Sequence, residues 1–174
     1  MQKNVGNNLS RDSDMGWVET GFNTMEKIHR VVFSDRIQLT VFTLHRKYER
    51  GEIISRTFSR RKKGWDNKKK SRLVESMLLD IPISVIYMAE RADARIEIVD
   101  GQQRLDAVFD FLNNRFPLTG LTILKELNGK QFKDFEAADT VLQRKLEEYS
   151  FTAIIIKRES PAHIRQEIFK RLNQ

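Results

Sequence analysis

Five consecutive residues, Asp100-Gly101-Gln102-Gln103-Arg104, gather a carboxylate, a glycine, two amides and a guanidinium into one short stretch. Upstream, Ile96, Ile98 and Val99 are β-branched and read as a short strand. Downstream, Leu105, Val108, Phe109 and Leu112 recur at i, i+3, i+4 and i+7, the spacing of a helix with one buried face. Strand therefore passes to helix at Asp100-Gly101. Gln102, Gln103 and Arg104 then fall in the first helical turn, where backbone N–H groups without intrahelical partners and the positive end of the helix dipole favour an anion. The chemistry on offer is phosphate binding. Asp100 suits a helix N-cap as well as a general base or metal ligand, and spacing does not separate these roles. Asp106 and Asp110 share a helix face at i, i+4; a divalent cation between them is one reading, and a solvated acidic face is the commoner one.

The elements that must position this turn can be read around it. Residues 37–42 alternate as a strand, and Thr43 to Arg50 read as a helix stopped by Gly51. From Asp66 a second helix runs through Leu73, Val74, Met77, Leu78 and Ile81 until Pro82 ends it. Ile83, Val85, Ile86 and Tyr87 form a strand buried on both faces, and Arg91 to Arg95 turn the chain back into the strand that carries the motif. This hairpin is expected to bring Pro82 and the basic segment described below to the motif. Beyond the motif helix, closed by Asn113-Asn114, Asn128-Gly129 reads as a turn. Ala138, Val141, Leu142, Leu146 and Tyr149 then give an amphipathic helix, and Phe151 to Ile156 a buried strand. Ser160 as N-cap with Pro161 at the first helical position opens a last helix through Ile164, Ile168 and Leu172. The pattern predicts an α/β (α+β) fold, a mixed sheet flanked by helices, over residues 37–174. Residues 1–36 read as a loose N-terminal arm with a short helix, opened by Asn23 and Glu26 at capping-box spacing.

Charge is concentrated in one place. Between Arg56 and Arg72 lie nine Lys or Arg and a single acid, Asp66, a local +8 in a chain whose total is +7. A localised patch of this kind fits a phosphate-bearing partner, so Arg60, Lys62, Lys63, Lys68, Lys69, Lys70 and Arg72 are candidate nucleic-acid contacts, DNA foremost. Trp65, just ahead of the helix, reads as a packing residue before a base-stacking platform. The chain has no cysteine, which excludes thiol catalysis, disulfides and Cys-bound zinc. Its three histidines, His29, His45 and His163, have no second histidine at ligand spacing and read as surface or packing residues. No apolar run approaches the roughly 18–20 residues of a membrane span, and no signal peptide is visible, so a cytoplasmic protein without a membrane partner is expected.

The string Asp100-Gly101-Gln102-Gln103-Arg104-Leu105 after a strand resembles the signature of the GmrSD-type family of bacterial restriction proteins, whose N-terminal part resembles a ParB/sulfiredoxin-like domain. Four further elements are similar to that family: Arg60-Arg61 followed by Trp65, the run Glu75-Ser76-Met77-Leu78-Leu79-Asp80-Ile81-Pro82-Ile83, the turn Asn128-Gly129-Lys130-Gln131-Phe132, and the end Ile168-Phe169-Lys170-Arg171-Leu172-Asn173. Arg60 and Arg61 compete for the family's arginine, and spacing to Trp65 favours Arg61. The resemblance implies a nucleoside triphosphate bound by Arg61, Asp100, Gly101, Gln102, Gln103 and Arg104 with Mg²⁺. It also implies hydrolysis that uses Asp100 and Arg104 and is coupled to restriction of foreign DNA, as a Mg-dependent triphosphatase serving phage defence. Any nuclease activity is expected in a C-terminal region that this sequence lacks, and a nuclease or helical region of the full-length protein is an expected partner. Two features depart from the family: its usual Leu-Thr-Thr-Leu is Leu105-Asp106-Ala107-Val108 here, and the C-terminal part is missing. A non-catalytic DNA-binding or DNA-sensing module is the rival reading.

Overall fold

A computed structural model describes residues 32–55, 64–138 and 140–172. Within them the chain forms β1 (Ser34–Thr40), α1 (Val41–Glu49), β2 (Ile53–Ile54), α2 (Asn67–Leu78), β3 (Ile86–Glu90), β4 (Ile96–Asp100), α3 (Gln102–Leu112), a 3-10 turn (Lys125–Leu127), α4 (Phe132–Ala138), α5 (Thr140–Glu148), β5 (Ser150–Ile156) and α6 (Ala162–Leu172). The five strands make one mixed sheet in the order β1-β5-β3-β4-β2, flanked by helices, the mixed α/β class the sequence predicts. β3 lies centrally, parallel to β5 and antiparallel to β4, and β2 runs parallel to β4 at the edge. Among the described residues no helix is long and apolar enough to cross a membrane.

One face of the sheet carries the main core. Ile86 and Met88 of β3, Ile98 of β4 and Phe151 of β5 pack there with Leu44 of α1, Val74 and Met77 of α2, and Leu105, Val108 and Phe111 of α3. The motif helix is therefore anchored by the apolar stripe read from its sequence. On the other face Ala89, Val99 and Ile156 form a small cluster with Ile168, Phe169 and Leu172 of α6.

The helix ends show local chemistry at work. α1 is capped by Thr40, whose hydroxyl accepts from Thr43 N–H at 3.1 Å, and it stops where Gly51 adopts φ +70°. α2 begins on Asp66, whose carboxylate accepts from Lys69 N–H at 2.8 Å. It ends earlier than the apolar spacing predicts. Asp80 takes a left-handed φ of +55°, its N–H bonds Met77 O and the Ile81 N–H bonds Ser76 O, a Schellman closure that leaves Ile81 outside the helix and 44% exposed. The extended geometry that Pro82 imposes on the residue before it favours this early stop.

Several other expectations need correction. The first strand starts at Ser34 and gives way to α1 at Val41, because Thr40 caps the helix. β3 begins at Ile86 and not at Ile83, since the carbonyls of Ser84 and Val85 bond the Arg104 guanidinium in place of a strand partner. The expected helix through Ala138 and Tyr149 is two helices. Ala138 closes α4, Tyr149 lies past the end of α5, and Val141 is 72% exposed while Leu146 is buried. Ser160 does not cap α6: its hydroxyl accepts from Phe33 N–H at 3.0 Å and donates to Phe33 O, tying the start of the fold to its end, while Pro161 O receives the first helical N–H groups.

Candidate functional site

β4 ends on Asp100, and Gly101 turns the chain into α3 with φ +98°. A side chain at this position would be strained by that φ. It would also meet crowding, because a Cβ would lie 3.2 Å from both γ-carbons of Ile86 and 3.3 Å from the Arg104 guanidinium. Glycine is thus required twice, and it places the N-terminus of α3 directly at the end of β4. α3 has no side-chain cap, so Asp100 is not the N-cap the sequence allows it to be. Its Oδ2 accepts from Arg104 at 2.9 Å. Arg104 is 12% exposed and also donates to the Ser84 carbonyl, to the Ser84 hydroxyl at 2.6 Å and to the Val85 carbonyl at 3.2 Å. The guanidinium therefore ties the 81–85 segment to the motif and brings its charge to the same point.

The two glutamines differ from their neighbours. Gln102 Nε2 donates to Asp106 Oδ1 at 2.6 Å, while Gln102 Oε1 and Gln103 Oε1 are buried with no hydrogen-bond partner among the described residues. Burial raises the Asp106 carboxyl above its ordinary range; the Gln102 amide opposes this, Asp110 reinforces it and Lys70 opposes it. Asp110 is not part of a solvated face. It is about four-fifths buried and gives Oδ2 to Lys70 at 2.7 Å and Oδ1 to Arg115 at 2.8 Å. Among the described residues no group of three or more His, Asp or Glu is arranged to hold a metal.

A family model described as the GmrSD restriction endonuclease, N-terminal domain, matches residues 41–174. The chain belongs to this family. Comparison with curated proteins and with solved structures found no match. The GmrSD domain is a module of restriction systems, and here its matched span takes in every element from α1 onward.

The GmrSD chain brings together Asp100, Gly101, Gln102, Gln103 and Arg104, with Ser84 and Val85 added by the fold. It draws Lys70, of the basic residues, to Asp110 instead. The Lys70–Asp110 bond places the start of α2 against the far end of α3, eight residues beyond Gln102 or about 12 Å at 1.5 Å per residue. Pro82 and the start of α2 thus flank opposite ends of the motif helix. Lys70 is committed to Asp110 and sits 5.5 Å from the Phe116 ring, and Lys69 lies over the Trp65 ring at 4.4 Å. Lys68 and Arg72 are exposed. Arg56, Arg60, Arg61, Lys62 and Lys63, and His29 in the N-terminal arm, lie outside the described residues. β2 points its C-terminal end toward the end of the sheet where Asp100 lies. Two open clefts lie at the Arg91–Arg95 hairpin, the other end of β4, and their ion-paired lining includes none of the motif residues.

Sequence reading missed Glu75. It is 4% exposed, and its Oε1 accepts from the N–H groups of Thr122, Ile123 and Leu124 at 3.0, 2.8 and 2.9 Å. Burial acts to raise this carboxyl, but the three N–H groups and the Thr122 hydroxyl outweigh it and hold the carboxyl below its usual range. One turn earlier Ser71 Oγ accepts from Thr119 N–H at 2.9 Å. The signal was present: Ser71 and Glu75 fall at i, i+4 on the face that also buries Val74 and Leu78, so a polar stripe there needed partners.

Proposed function

We propose that this GmrSD domain binds a nucleoside triphosphate as its Mg²⁺ complex at the β4–α3 turn and hydrolyses it within a bacterial restriction system. The observation that carries the reading is the junction itself: a left-handed Gly101 at the end of β4 delivers the first-turn N–H groups of α3 beside Arg104 and Asp100. Those N–H groups and the helix dipole suit phosphate oxygens, and the Arg104 charge adds to the local positive potential even with its donors engaged. Asp100, 39% exposed with Oδ2 committed to Arg104, fits the single carboxylate that Mg²⁺ takes when phosphates and water supply its other ligands. The metal would neutralise phosphate charge, and the protein's share is to position and polarise. In this reading Asp100 also takes the proton of an attacking water at that turn.

Thermal unfolding tests this. A millimolar triphosphate with Mg²⁺ should stabilise the domain, by about 2.7 kcal/mol at a hundredfold excess over Kd. No shift with any triphosphate overturns the reading. The separation of the basic helix from the motif favours a second site, in which Lys68, Lys69 and Arg72 track DNA phosphates independently of nucleotide. Its signature is duplex binding with a steep salt dependence that nucleotide does not alter.

A further inference from the structure

A glutamine amide has two ends of nearly the same shape, and hydrogen bonding decides which end faces which neighbour. At Gln102 the choice is forced. An ionised carboxylate only accepts, so the amide nitrogen must face Asp106, at 2.6 Å, and the oxygen must face away from it. The charged groups nearest Asp106 are bonded to other partners: Asp110 gives one oxygen to Lys70 and the other to Arg115, and Lys70 donates to Asp110. The outcome is a buried oxygen on Gln102 with no partner among the described residues, beside a second one on Gln103. Buried acceptors in folded proteins are paired, and two adjacent exceptions in one helical turn call for a donor that none of the described residues supplies.

Phosphate cannot be that donor. At neutral pH the oxygens of a bound triphosphate accept hydrogen bonds and so suit the N–H groups of the turn, not the amide oxygens. We infer that Gln102 and Gln103 are acceptors for an O–H or N–H donor on the nucleoside part of the ligand, and that Asp106 is the positioning residue that fixes Gln102 in this role. The inference rests on the triphosphate reading above and adds to it a division of labour. The backbone of the turn holds the phosphates, and the two amide oxygens select among nucleosides. A sugar hydroxyl and a base amino or imino group share the required chemistry. Asp106 does its work without touching the ligand.

Calorimetry on the whole chain with Mg²⁺ tests the inference, using inorganic tripolyphosphate, four ribonucleoside triphosphates and their 2′-deoxy forms. The wild type should bind its preferred nucleoside triphosphate at least tenfold more tightly than tripolyphosphate, and at least tenfold more tightly than the analogue lacking the selected donor. If the 2′-deoxy series loses the affinity the donor is the sugar hydroxyl, and if the base series does it is the base. Gln102→Leu and Gln103→Leu should each reduce that ratio toward one while tripolyphosphate binding is kept. Asp106→Asn, which lets the Gln102 amide turn over, should lower the ratio, and Asp106→Glu should restore part of it; a merely structural role for Asp106 would leave the ratio unchanged. Equal binding of tripolyphosphate and every nucleoside triphosphate would overturn the inference and leave the phosphate site standing. Failure of tripolyphosphate and nucleotides alike would remove both. Wild-type ratios in the two leucine variants would also overturn the inference.

Discussion

The two ends of α3 hold similar polar groups, but at the C-terminal end Asp110 has both oxygens paired with cations, and at the N-terminal end Gln102 and Gln103 keep amide oxygens that are buried and, among the described residues, unpaired. The same contrast separates α2 from the motif. Ser71 and Glu75 bond four backbone N–H groups of the 119–124 segment and so fix that loop to the core. Along α2 and at the far end of α3 the polar groups that serve the fold are paired. The groups left over lie next to a helix N-terminus and a left-handed glycine, where the proposal seats a partner from outside.

The saturated side should break hardest at Glu75. Glu75→Ala leaves three N–H groups without an acceptor and should cost about 3 kcal/mol or more of stability, read from the urea midpoint. The pH dependence follows from the sign of the shift. The folded-state carboxyl is held below its unfolded value, so its stabilisation is complete above the ordinary glutamate range and is lost as pH falls through the lowered folded value. Urea midpoints of wild type and Glu75→Gln should therefore converge as the pH is taken below about 4. A constant gap would place the stabilisation elsewhere.

On the motif side, Gly101→Ala should cost about 1–2 kcal/mol from the left-handed backbone alone, with crowding against Ile86 added. Its larger effect should be on triphosphate binding, since the turn that aims the N–H groups would shift. Smaller again is the difference among the lysines of α2. Lys70→Gln removes a mostly buried ion pair and should cost about 1 kcal/mol, whereas Lys68→Gln should stay within about 0.5 kcal/mol. Equal effects would mean that Lys70 is no more a part of the fold than its exposed neighbour. The smallest effect is expected at Asp106. Burial raises this carboxyl, so its charged form is disfavoured in the fold and the fold gains stability as pH falls. Asp106→Asn should then be neutral or stabilising by about 0.5 kcal/mol at pH 7, with the gain shrinking as the wild-type carboxyl takes up its proton. A clear loss of stability would show that the Gln102 contact supports the fold.

What the sequence made legible is what short-range patterns encode. The strand-to-helix passage at Gly101 was readable because β-branched residues give way to 3.6-residue periodicity on either side of it, and the Asp66 cap was readable because capping is a three-residue affair. The contacts that decide the site are long-range. Arg104 meets Ser84 across 20 residues, Glu75 meets Leu124 across 49, and Ser160 meets Phe33 across 127. No periodicity announces these pairings. The placement of the basic helix at the far end of α3 depends in the same way on Lys70 finding Asp110, 40 residues on. An i, i+4 pair of aspartates looks identical in sequence whether it faces water, a metal or a lysine from another helix.

The claim at the centre of this account is that the N-terminus of α3 is a ligand site. A crystal structure of the protein with Mg²⁺ and a non-hydrolysable nucleoside triphosphate tests it most directly. The account predicts phosphate oxygens within about 3.2 Å of the backbone N–H groups of Gln102 and Gln103. It also predicts a donor of the nucleoside against Gln102 Oε1 or Gln103 Oε1. A nucleotide seated at the Arg91–Arg95 hairpin, or along Lys68 and Arg72 with both amide oxygens still unpaired, would contradict it.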